Sequence, residues 1–170
     1  YQAIPFLWSD HVLSEEGNLE HFSYLFKNDA DPREAFITAL LETLGEGGTI
    51  FTYSNYERRI VSELAPHLPH KGEQLLATLD RFRDLQALIK RYFYNPAFHG
   101  SFSLKSVLPA LVPAMSYNDL DIQEGAHASM EYLRMLRPET SPEEKRKIEE
   151  DLSAYCHHDT LAMVEIRKAL

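Results

Sequence analysis

Ile4-Pro5-Phe6-Leu7-Trp8-Ser9-Asp10-His11-Val12-Leu13, then Ser14-Glu15-Glu16-Gly17-Asn18, then Leu19-Glu20-His21-Phe22-Ser23-Tyr24-Leu25-Phe26, is the stretch that decides the fold class. Ile4, Phe6, Trp8 and Val12 occupy alternate positions, the two-residue period of a strand with one face turned inward. Residues 19–26 read as a second strand, and Glu16-Gly17-Asn18 supplies turn residues between the two. A β-hairpin is the prediction.

Working outward, Asp31-Pro32-Arg33-Glu34 reads as a helix start, with Asp as N-cap, Pro in the first helical position and Glu in the third. The stripe Ile37, Leu40, Leu41, Leu44 runs to Gly45, a natural stop. Gly47-Gly48 leads into Thr49-Ile50-Phe51-Thr52-Tyr53, a short apolar strand of the buried kind. Ser54 or Asn55 caps the next helix, which carries Ile60, Val61 and Leu64 before Pro66. Residues 72–93 read as helix by pattern, with an interruption near Asp84. Asn95-Pro96 and Gly100 mark a loop, Leu104 to Leu111 a short helix, and residues 119–135 a turn and another helix. Ser141-Pro142-Glu143-Glu144 is a second capping box, opening a helix that runs toward the C-terminus. Hairpin, helix, strand, helices is the order of an α/β fold, a mixed sheet flanked by helices.

The chain's 170 residues suit one domain, and 44% hydrophobic with 25% charged residues is ordinary globular composition. Cys156 is the single cysteine and has no partner for an internal disulfide, which suits a reducing compartment. No apolar run approaches the roughly 20 residues needed to span a bilayer, so a cytoplasmic protein without a membrane partner is expected. The net charge of −9 argues against a protein that grips nucleic acid over its whole surface, though not against one that binds it in a groove. Tyr1 leads straight into the strand-like run, so the expectation is a segment of a longer protein, with its other domains as partners. An edge exposed by truncation would also invite pairing into a dimer.

Chemistry is suggested by two carboxylates on apolar faces. At 100° per residue, Ile148, Leu152, Tyr155, Ala162, Ile166 and Leu170 fall on one face of the last helix, and Asp159 projects from the middle of that stripe. A carboxylate facing a core is costly unless paired or metal-bound. Tyr155, four residues earlier, stacks a phenol beside it. The alternatives are that Asp159 caps a separate final helix or pairs with a buried cation. Glu57 repeats the pattern before Ile60 and Val61, just after the strand ending at Tyr53, where ligands sit in α/β sheets. Its alternative is a capping box, Ser54-Asn55-Tyr56-Glu57.

Other groups give less. His157 and His158 are adjacent, point to different sides of a helix and make a poor chelating pair; no Cys or His spacing suggests structural zinc. Ser9-Asp10-His11 is not a triad signal, since triads are spatial. Arg58, Arg59, Arg81, Arg83, Lys90 and Arg91 read as solvated faces. Ser103 and Lys105, in a polar loop feeding a helix N-terminus, are weak candidates for holding a substrate phosphate.

The run from Ala154 through Tyr155-Cys156-His157-His158-Asp159 to Met163 resembles the third motif of the ribonuclease H-like DEDD 3′–5′ exonucleases, tyrosine subtype, with Tyr-x-x-x-Asp on a helix. Phe51 to Arg59 resembles their second motif, with Tyr53-x-x-x-Glu57 where those enzymes have Asn-x-x-x-Asp. The whole chain further resembles a bacterial family, domain of unknown function 2779. That likeness is carried by the hairpin with Pro5-Phe6, by Asp31-Pro32-Arg33-Glu34, by Ser103 to Pro109, and by Tyr155 to Met163. The exonuclease resemblance implies a ribonuclease H-like fold and a nuclease that hydrolyses phosphodiester bonds of DNA or RNA. Paired Mg²⁺ or Mn²⁺ ions roughly 3.5–4 Å apart would serve it. Asp159 and Glu57 would be metal ligands and Tyr155 would orient the attacking water. It also implies an Asp-x-Glu pair on an earlier strand. No Asp-x-Glu occurs in the 170 residues, so the resemblance implies a truncated first strand, an incomplete metal site and an inactive chain. The alternative function is a non-catalytic module that keeps the fold and binds nucleic acid or protein.

Overall fold

Gly17 adopts φ +88°, the left-handed region that a side chain resists, and its N–H donates to Ser14 O at 3.1 Å. That turn closes the predicted hairpin. In the computed structural model, which describes residues 4–170, β1 (Leu7–Leu13) and β2 (Leu19–Leu25) pair antiparallel from Leu7↔Leu25 to Leu13↔Leu19. The strand expected before the hairpin lies outside the described residues.

Helix α1 (Arg33–Leu44) starts one residue later than the capping pattern suggests; Pro32 is the cap position, and Asp31 Oδ1 accepts from the Arg33 N–H at 3.0 Å. Phe36, Ile37 and Leu41 are its buried residues. The apolar strand is β3 (Ile50–Thr52), and α2 (Tyr56–Leu64) follows it. The stretch 72–93 is not one helix. It divides into α3 (Gly72–Ala77), a 3₁₀ turn, β4 (Phe82–Asp84) and α4 (Leu85–Tyr92). β4 runs parallel to β3, with Ile50 opposite Phe82 and Thr52 opposite Asp84, so ladder pairing overrides the helical pattern there. The break falls at Asp84, whose side chain caps α4 by accepting from the Ala87 N–H at 3.1 Å.

Arg81 corrects a second expectation. Its guanidinium donates to Leu44 O and Gly45 O at 2.7 Å each, to Gly48 O at 2.9 Å, and to Gly47 O. It is a fastener between the end of α1 and the start of β4, not part of a solvated face. The last turn of a helix leaves carbonyls without amide partners, and a planar fork of donors is suited to collect them.

Among the described residues the strands form two separate two-stranded sheets, β1–β2 and β3–β4, instead of one mixed sheet. The second pair is only three residues long, and helices pack on the hairpin: α7 (Pro142–Ala169) against β1 and β2, α1 against β2. The α/β class therefore holds, with small sheets set among helices.

Helices α5 (Leu104–Leu111), α6 (Gly125–Met135) and α7 (Pro142–Ala169) complete the chain. Ser141 and Glu144 form the predicted capping box reciprocally, and α7 is continuous for 28 residues. Its buried residues Ile148 and Leu152 join one apolar cluster with Tyr132 and Met135, while Ala162 and Ile166 join another with Phe98 and Val107. Tyr155 packs against both clusters. Leu170, expected on the same stripe, is 53% exposed past the helix end. A third cluster holds Trp8, Ile37, Leu64 and Leu75 between hairpin, α1, α2 and α3. No helix among the described residues is long and apolar enough to cross a membrane.

Candidate functional site

Because α7 is unbroken from residue 142 to 169, Asp159 caps nothing. Its carboxylate is half-buried in the seam between the two apolar clusters that α7 serves. Tyr117 donates its hydroxyl to Asp159 Oδ1 at 2.6 Å, a short charge-assisted bond. Tyr155 directs its own hydroxyl to the same carboxylate. Burial raises the Asp159 pKa, and the two phenols, His158 and Lys105 pull it back down. Both phenols are held well above their ordinary range, first by burial and then by the Asp159 charge. Among the described residues no Lys or Arg forms an ion pair with Asp159; Lys105, which acts on it together with His158, pairs with Glu124 at 3.9 Å.

Glu57 sits in the first turn of α2, just beyond β3. The capping-box alternative fails, because the Ser54 N–H, which Glu57 would have to engage, donates to Asp84 Oδ1 at 3.0 Å. Glu57 Oε2 is buried without a hydrogen-bond partner. Burial chiefly pushes its pKa up to about 7, with further increments from the charges of Asp84 and Asp159. Glu57 thus feels the charge of Asp159, 102 positions away in the chain.

Asp84 is the acidic residue that sequence reasoning passed over. It ends β4 as Tyr53 follows β3, so Glu57 and Asp84 both stand at the carboxyl ends of the two parallel strands, the usual ligand edge of such a sheet. The available signal was Asp84 itself, a good N-cap ahead of Leu85, but it was hidden inside a helical pattern.

Ser103 caps α5, its Oγ accepting from the Ser106 N–H at 3.3 Å. Lys105 lies over the Tyr117 ring, 5.7 Å from its centroid. Together with His99, Ser101, Ser106 and Pro109 it lines an open cavity of about 440 Å³. Tyr53 donates its hydroxyl to Phe102 O at 2.9 Å, tying β3 to the loop before α5.

The adjacent histidines diverge as expected. His158 packs edge-on against Tyr117 at 4.6 Å, with Nε2 buried and unpartnered. His157 turns the other way, to His11 and His21 on the hairpin. Spacing along the chain could not show that grouping. Burial, then the neighbouring His21 and His157, lower the His11 pKa to about 4. Cys156 is a packed thiol whose pKa burial pushes up to about 12, far from thiolate chemistry.

The chain belongs to the family described as Domain of unknown function (DUF2779), whose profile matches residues 1–103. The matched span runs from the hairpin through α4 and includes Glu57 and Asp84; Tyr155 and Asp159 lie beyond it. No curated protein and no solved structure matches the chain.

Proposed function

We propose that this chain is the catalytic region of a metal-dependent nuclease, a hydrolase of phosphodiester bonds of the 3′–5′ exonuclease kind on a ribonuclease H-like framework. The observation that carries the reading is the half-buried Glu57 of α2, whose Oε2 is buried without a hydrogen-bond partner and which feels the charges of Asp84 and of Asp159 on α7. A buried carboxylate without a partner is unstable as an anion. Glu57 resolves this in the bare protein by holding its proton to about pH 7 and keeping Oε2 unbonded. A divalent ion would resolve it by ligation.

The donor set fits Mg²⁺ or Mn²⁺, which take carboxylate oxygens in preference to nitrogen or sulfur. Asp159 and Glu57 would hold the ion, and Asp84 stands close enough to Glu57 to add its charge. When bound, such ions activate water and stabilise the departing oxygen of a phosphodiester. Tyr117 fixes the Asp159 carboxylate through its 2.6 Å bond. Tyr155, on the same helix face, keeps its phenol protonated and positions it to orient water beside Asp159. Lys105 brings a positive charge to the cavity on this side of the molecule, where a substrate phosphate would be neutralised. Ser103 serves the same end indirectly, by capping the helix that carries Lys105.

The exonuclease resemblance calls for an Asp-x-Glu pair ahead of the hairpin, so the test uses a polypeptide extended upstream by about 30 residues, enough for one strand and its connection. It is incubated with 5′-labelled single-stranded DNA and RNA in Mn²⁺, beside Asp159→Asn and Glu57→Gln. A ladder of products that disappears in Asp159→Asn is the expected result. A folded, Mn²⁺-binding protein that cleaves neither polymer would overturn the nuclease and favour a binding module that retains the fold.

A further inference from the structure

We propose that His11, His21 and His157 form a site for a borderline transition-metal dication of the Zn²⁺ class, which clips the hairpin to α7. The three residues come from β1, β2 and α7 respectively. One ring nitrogen of each lies within 4.8 Å of one from each of the others, the one such close-set ligand group among the described residues. The ring centroids stand 4.7, 4.8 and 4.4 Å apart.

That spacing is near what an ion requires. Zn–N bonds of about 2.0–2.1 Å in a tetrahedral site place the nitrogens about 3.3 Å from one another. Closing from the observed separation takes ring movements on the order of 1 Å, within the reach of side-chain torsions at a partly exposed surface. His21 is exposed and the other two are half-buried, so an ion has an entry path from solvent.

Two of the rings are also held by hydroxyls. His11 Nδ1 bonds Thr160 Oγ1 at 2.8 Å, and His21 Nε2 bonds Ser9 Oγ at 2.9 Å. Ser9 and Thr160 are themselves joined at 2.9 Å. Each of these histidines therefore has one nitrogen anchored to a hydroxyl, leaving Nε2 of His11 and Nδ1 of His21 for a ligand. Metal-binding histidines commonly use the second nitrogen in this way, which fixes the ring and its tautomer. Mutual packing of three imidazoles would need no such anchoring, and it gives no reason for the most exposed ring to be drawn in.

An all-nitrogen set selects Zn²⁺, Co²⁺, Ni²⁺ or Cu²⁺ over Mg²⁺ and Mn²⁺. It is thus chemically separate from the carboxylate site. It is spatially separate too, since His157 precedes Asp159 by two positions and points about 200° away around the helix. Three protein ligands leave a fourth position for water. The ion would bind the folded arrangement and not the unfolded chain, so it would stabilise the docking of the hairpin on α7.

The test is titration of the metal-stripped, tag-free 170-residue chain with Zn²⁺, followed calorimetrically and by thermal unfolding. Visible absorption of the Co²⁺ form reports the coordination geometry. We expect one ion per chain, a rise in Tm, and a tetrahedral Co²⁺ spectrum. His21→Ala, at the exposed position, and His157→Gln should each weaken binding at least about 100-fold while keeping the far-ultraviolet dichroism. Ser9→Ala should weaken it by roughly 10-fold, the effect of losing an outer-shell partner. Asp159→Asn should leave it unchanged, which distinguishes this site from the nuclease reading. Zn²⁺ binding that survives both histidine substitutions, or no binding at all, would overturn the proposal.

Discussion

Replacing Glu57 with Gln should stabilise the metal-free protein, increasingly so as pH rises above about 4.5. The Glu57 carboxyl holds its proton to about pH 7 in the folded chain against an ordinary value of 4.5. Between those two values the folded state carries a proton that the unfolded chain has released. Stability must therefore fall as pH rises through this window. The contribution is intact below about pH 4.5 and fully lost above about pH 7. The distance from 4.5 to about 7, at 1.36 kcal/mol for each tenfold change in proton affinity, sets the loss at up to about 3 kcal/mol. Glutamine has the shape of the protonated acid and cannot ionise, so the variant should not incur this loss. Urea unfolding of both proteins in EDTA at pH 5, 6, 7 and 8, followed by circular dichroism, isolates the effect as a difference, since every other titrating group is shared. The two should agree within about 1 kcal/mol at pH 5 and diverge steadily, with Glu57→Gln the more stable at pH 8. Parallel pH profiles would refute the reasoning and show that the carboxylate is solvated when ionised.

Tyr117→Phe removes the 2.6 Å bond to Asp159 and should cost about 1–3 kcal/mol; carbon-13 titration should show the Asp159 pKa rising further, because a lowering contribution is gone. Arg81→Ala strips a donor from four backbone carbonyls between Leu44 and Gly48 and should destabilise by more than about 2 kcal/mol. Arg81→Lys should recover little of that, since an ammonium cannot span the same carbonyls; full recovery in urea unfolding would show that charge alone matters there. Leu152→Ala, at a fully buried position of α7, should cost about 2–5 kcal/mol by the same assay.

Elements with strong local punctuation were legible from sequence. Ser141 and Gly17 each put a specific backbone demand at a specific residue, and the structure meets both. The stretch around Phe82 was not legible, for a physical reason. A three-residue strand has no period to detect, and its existence depends on Ile50–Thr52, some thirty residues earlier, offering a ladder. Arg81 failed for the same reason, because its partners are carbonyls, which leave no trace in side-chain patterning. Apolar periodicity reports which face turns inward; it is blind to partners supplied by remote backbone.

The two histidine and carboxylate groupings divide along that line. Asp159 announced itself because a charge on an apolar stripe violates a local rule, and continuity of α7 then removes the local excuse for it. Glu57 likewise lost its capping alternative once the Ser54 N–H was seen to serve Asp84. The histidines broke no rule. His11 and His21 look like ordinary polar positions on a hairpin, and His157 like an ordinary position on a helix. Yet the register was implicit in the turn: stepping back two residues from Leu13↔Leu19 sets His11 opposite His21. What no single-chain pattern could supply was the packing of α7 across that pair. A site that violates local expectation can be read from one element; a site built from three compliant elements becomes visible only when they are docked.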